Sequence, residues 1–111
     1  MNVLDWLIGR FSNRGRALSL YQRGMARAKK RDHQGAINDY TAAIGGPTMP
    51  DDVKSMILYN RALVHAATGD AQKATDDLDA VLSMGAAPVN VVTMARTKLA
   101  KIESRSDKYK L

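Results

Sequence analysis

The chain has 111 residues, a net charge of +6 and no cysteine. That length sets one domain with a modest core, and the missing cysteines exclude disulfides, thiolate chemistry and Cys-ligated zinc. No apolar run approaches the roughly 20 residues needed to cross a bilayer. Met1 to Phe11 also lacks the basic leader of a secretory signal peptide.

The charge is unevenly spread. Residues 1–31 carry eight basic groups against Asp5 alone, and residues 96–111 carry six against Glu103 and Asp107. Residues 32–52 hold four aspartates and no base. Two basic ends flank an acidic middle, which suits an acidic partner or surface, or simple solubility.

Taken in order, Met1–Phe11 predicts a short amphipathic helix, with Leu4, Trp6, Leu7 and Phe11 on its apolar side. A helix this short is marginal alone in water. It therefore needs a surface: the body of its own chain, a second copy in a homodimer, another protein, or a membrane with Arg10, Arg14 and Arg16 at the headgroups. Ser12–Arg16 predicts a polar break at Gly15, closing an N-terminal segment over residues 1–16.

Five further helices are expected near residues 17–31, 33–44, 53–68, 71–84 and 88–104, with no strand. Arg27, Lys29, Lys30 and Arg31 close the first, where cations offset the helix dipole. Asp32 caps the second, and Gly45-Gly46-Pro47 ends it. Asp51 or Asp52 is the expected cap of the third, Asp70 of the fourth. Pro88 belongs to the first turn of the last. Residues 106–111 should fray.

A shift of 38 residues superposes part of the chain on itself. Tyr21-Gln22-Arg23-Gly24 falls on Tyr59-Asn60-Arg61-Ala62, Ala28 on Ala66, Asp32 on Asp70, Ala36 on Ala74, Asp39 on Asp77 and Ile44 on Leu82. One helical hairpin is written twice. Small residues at matching places mark close helix contacts, so Ala36, Ala62 and Ala74 are expected to be buried.

This pattern resembles the tetratricopeptide repeat (TPR). Gly24, Ala36, Tyr40, Ala43 and Pro47 occupy the family's places in the first copy. Ala62, Gly69-Asp70, Ala74, Leu78 and Val81 do so in the second. Arg31 stands where the turn glycine belongs, Leu20 and Leu58 replace the early tryptophan, and the spacing exceeds the family's 34. The resemblance implies an all-α fold, a right-handed helical-hairpin repeat or TPR-like α-solenoid, over residues 17–105. Repeat one covers 17–50, repeat two 55–87, and a capping helix 88–105 hides the last apolar face.

The resemblance also implies a concave groove lined by the first helix of each repeat. Leu18, Tyr21 and Met25 would come from copy one, and Met56, Tyr59 and Leu63 from copy two. No Lys–Asn clamp for a C-terminal carboxylate stands there, so an apolar peptide or helix is the expected ligand. The chain's own N-terminal helix or a twin subunit is an equally simple occupant.

No catalytic constellation is assembled, and no cofactor or metal is expected. His65 reads as a packed core residue and His33 as a solvated one. Neither has a second ligand at zinc spacing. Asp76, Asp77 and Asp79 point about 100° apart per residue on a helix, so they read as a solvated acidic face. Two functions follow. The first is a non-enzymatic adaptor or scaffold module that binds a protein segment. The second is a basic surface-binding protein for nucleic acid or anionic membrane, acting through the two basic ends. The expected location is cytoplasmic, or peripheral to a membrane surface.

Overall fold

The computed structural model describes the backbone of residues 3–46 and 49–108, with side chains from residue 15 onward. The described residues form five helices and no strand: α1 (Val3–Lys29), α2 (His33–Ile44), α3 (Asp51–Ala67), α4 (Ala71–Ser83) and α5 (Val89–Lys108). Helices pack as sequence neighbours, α1 on α2 and α3 on α4, with α5 on α4 and more lightly on α3. The chain divides into two compact units, residues 1–49 and 50–111.

Each unit starts from one hairpin with the same turn chemistry. In the first, Asp32 N–H donates to Arg27 C=O at 2.9 Å and Arg31 N–H to Ala28 C=O at 3.0 Å. In the second, Asp70 N–H donates to His65 C=O at 2.9 Å and Gly69 N–H to Ala66 C=O at 3.1 Å. Both are Schellman closures, which need a left-handed residue at the turn. Gly69 supplies it at φ +85°, and Arg31 supplies it at φ +63°. The next residue then starts the following helix. Asp32 accepts from Gly35 N–H at 3.0 Å and Asp70 from Lys73 N–H at 3.1 Å. The expected caps are both present.

The cores also repeat. Ala36, Tyr40 and Ala43 of α2 and Ala74, Leu78 and Val81 of α4 are buried, as is Ala62 of α3. Ile57, Val91 and Ala95 complete the second core, with α5 placing its Val91–Ala95 stripe inward.

Three expectations are corrected. No break occurs at residues 12–16: α1 runs unbroken from Val3 to Lys29, so the expected N-terminal helix is the front of the first repeat helix. Glycine inside a helix costs only about 1 kcal/mol, and a Cβ on Gly15 would meet nothing. Ser12–Arg16 thus holds no feature that forces a stop. The side chains of Leu4, Trp6, Leu7 and Phe11 lie outside the described residues. Second, neither Asp51 nor Asp52 caps α3. Pro50 takes that position with extended geometry and no side-chain bond, and the two aspartates fill the first turn, where the dipole favours them. Third, α5 runs to Lys108, past the expected end near Ser104.

Candidate functional site

Inside each hairpin a buried carboxylate is clamped from the preceding helix, by two arginines in the first and by one arginine beside a histidine in the second. In the first, Arg23 Nε and Nη2 donate to Asp39 Oδ2 and Oδ1 at 2.9 and 2.8 Å. Arg27 Nη1 donates to both oxygens at 3.2 Å. In the second, Arg61 Nε and Nη2 donate to Asp77 Oδ2 and Oδ1 at 2.8 and 2.7 Å. His65 Nε2 stands 3.8 Å from Asp77 Oδ2, at the position that Arg27 holds in the first copy. Planar guanidinium meeting carboxylate in a fork is a strong, directional pair. Its geometry ties the two helices of a hairpin at a set register.

The electrostatics follow from this wiring. The hydrogen bond from Arg23 holds the Asp39 carboxyl below the usual carboxylate range, and the charges of Arg23 and Arg27 act the same way against the cost of burial. Burial pushes the His65 imidazole below its ordinary value, more strongly than Asp77 raises it. His65 is therefore neutral at pH 7 and packs as a core residue, as the sequence suggests. Burial also pushes the Tyr40 hydroxyl up to about 12, with Tyr21 and Asp39 adding to it. The Tyr21 and Tyr40 rings lie 6.0 Å apart at 45°.

Asp77 therefore leaves the expected acidic face: it is buried and paired, while Asp76 and Asp79 are exposed. Arg27 likewise does more than offset the helix dipole. His33 is half-buried, and its Nδ1 is buried with no hydrogen-bond partner among the described residues.

On the other side of α1 and α3 lie the expected groove residues. Leu18 is exposed, and Tyr21 and Met25 are half-exposed on α1. Met56, Tyr59 and Leu63 are half-exposed on α3. Each triad has the i, i+3, i+7 spacing that lines one helix face, and the 38-residue shift carries the first onto the second. Each hairpin thus shows water part of a Leu/Met/Tyr surface.

The first unit also carries an open cleft of about 410 Å³, walled by Ala17 and Leu20 of α1 and Ala42 and Ala43 of α2, with Arg16 at its edge. Its lining joins these aliphatic side chains to Arg16 and to the backbone of Gly45 and Gly46. Among the described residues no cluster of three or more His, Asp or Glu side chains is placed to hold a metal. No described helix is long and apolar enough to cross a membrane.

The clamps are what sequence reasoning missed. Their signal was present: the repeat alignment sets Arg23 over Arg61 and Asp39 over Asp77, each pair 16 residues apart. No protein-family model, curated protein or solved structure matches the chain.

Proposed function

We propose that the chain is a non-enzymatic protein–protein interaction module of the TPR type, an adaptor or scaffold that takes an apolar peptide or helix. The observation that carries this reading is the duplicated hairpin, with one turn, one cap, one clamp and one outward Leu/Met/Tyr triad in each copy. Repeating a surface element on a rigid scaffold is how helical repeat proteins build binding faces. Methionine and tyrosine suit such a face: the first adapts its shape, and the second joins apolar area to a hydroxyl. The chemistry fits the apolar stripe of an amphipathic helix, read at i, i+3 and i+7.

Selection from a displayed library of random peptides tests this reading. The expected winners are amphipathic and apolar, and they lose binding to the Met25→Asp and Leu63→Asp variants. Both residues are half-exposed, so these variants leave the buried cores intact. Winners that are uniformly acidic, or that bind both variants as well as the parent, would overturn the reading.

A further inference from the structure

Among the described residues, some cations are held in ion pairs and others, including four on α5, are not. The ion pairs among the described residues use Arg23, Arg27, Arg61, His65 and Lys73. Lys98, Lys101, Arg105 and Lys108 of α5 enter none of them. At 3.6 residues per turn these four fall within about 80° of one another around the helix axis. Arg96, Glu103 and Asp107 fall on the opposite side, so the acidic groups of α5 are segregated from the stripe. The four cations rise along the axis by about 4.5, 6 and 4.5 Å, a row about 15 Å long. Lys101, Arg105 and Lys108 are exposed and Lys98 is half-exposed.

We infer that this stripe is a binding surface for the phosphodiester backbone of nucleic acid, contacted without base readout. Three features select that partner. A row of cations about 15 Å long suits a polymer that carries phosphates along its whole length. No aromatic residue stands on α5, so nothing there stacks a base or favours single strands. A membrane-surface helix needs a broad apolar face beside its cations. Here the neighbouring apolar residues are Met94, Leu99 and Ile102, all half-buried and too few for such a face. The dipole at the helix C-terminus accounts for Arg105 and Lys108 in the last turn, but not for Lys98 and Lys101 in mid-helix. The inference stands apart from peptide binding by the triads, which lie on α1 and α3.

The test is fluorescence anisotropy of the full chain with a labelled duplex of about 20 base pairs, titrated from about 50 to 200 mM salt. Four phosphate contacts predict a slope of log K against log salt near −3.6, roughly a 100-fold loss over that range. The triple variant Lys98→Gln, Lys101→Gln, Arg105→Gln should lose about 2.7 of that slope and at least about tenfold in affinity at the low salt. The control Lys54→Gln, Lys73→Gln, Arg96→Gln removes the same net charge from elsewhere in the same unit and should change affinity less than about threefold. Circular dichroism confirms that both variants keep their helices. If the first does not, Lys101→Gln and Arg105→Gln alone should each lower the slope by about 0.9. Equal losses in the control, or no complex at about 50 mM salt, would overturn the inference. So would anionic vesicles or polyglutamate binding more tightly than the duplex with the same dependence on the stripe.

Discussion

Tyr40 rests against the bare backbone of Gly24: a Cβ built on Gly24 would lie 2.6 Å from Cε1 of the ring and 2.8 Å from Cδ1. The second repeat carries Ala62 and Leu78 at these two places, both fully buried. The ring and the missing methyl are one unit of exchange. A larger side chain on α2 is accommodated by a smaller one on α1.

Gly24→Ala should therefore destabilise the first hairpin. Overpacking costs about 1–3 kcal/mol, and the gain in helix propensity returns up to about 1 kcal/mol. Adding Tyr40→Leu, which copies the second repeat, should make the alanine harmless. Urea midpoints of the two single variants and the double variant give the coupling. Additive effects would refute the exchange. The reverse probe, Ala62→Leu, should cost about 1–3 kcal/mol.

The clamps should fail unequally. Arg61→Ala leaves Asp77 buried beside a neutral imidazole, and losing one partner of a buried pair costs about 3–5 kcal/mol. Arg23→Ala leaves Asp39 with Arg27 still at 3.2 Å. Its cost should be smaller than that of Arg61→Ala. Thermal or urea unfolding ranks the two, and the opposite order would contradict the geometry.

Arg31 occupies the left-handed turn position that Gly69 fills in the second repeat. A side chain there costs about 1–2 kcal/mol, and glycine gives part of that back as extra freedom in the unfolded chain. Arg31→Gly should stabilise by about 0.5–1 kcal/mol. Gly69→Arg should destabilise by a similar or larger amount, through backbone strain alone, since a Cβ there meets no atom within 4 Å. The urea midpoint measures both.

Acid should weaken the two hairpins in different windows. The folded state holds His65 below its ordinary value, so its contribution is complete above about pH 6.5 and is lost as pH falls through the lowered value. Asp39 is also held low, so its contribution is complete above the carboxylate range and disappears only as pH falls through that lower value. Stability should decline in two stages. His65→Gln should flatten the first stage, which sets in as pH falls below about 6.5, and leave the second. An unchanged profile would show that His65 does not set the first stage.

What the sequence made legible was whatever depends on local chemistry. Asp32 and Asp70 are caps because an aspartate at a helix start accepts a backbone N–H. Gly69 ends α3 for a backbone reason, its φ of +85°. Ala36, Ala62 and Ala74 read as contact positions because only small residues let helices approach. The clamps were harder to see. An isolated Arg or Asp on a helix is usually solvated, and only the pairing across a hairpin reveals otherwise. The continuity of α1 was missed because Ser12–Arg16 combines several weak helix formers with no decisive stop. Of the candidate site, the two triads were expected only through the family resemblance, which assigns the first helix of each copy to a groove; the structure leaves Leu18 exposed and Tyr21, Met25, Met56, Tyr59 and Leu63 half-exposed.

The clamps also bear on how the chain acquires its structure. Each joins residues only 16 positions apart, with the Schellman turn and aspartate cap between them. Closing so short a loop loses little chain entropy, and helical proteins wired through local contacts fold in microseconds to milliseconds. A hairpin can zip from its turn outward, each step held by the one before, until the guanidinium meets its carboxylate as a latch. Nascent chain leaving a ribosome meets that latch within a few turns of helix. The first hairpin can therefore close while the second is still being made.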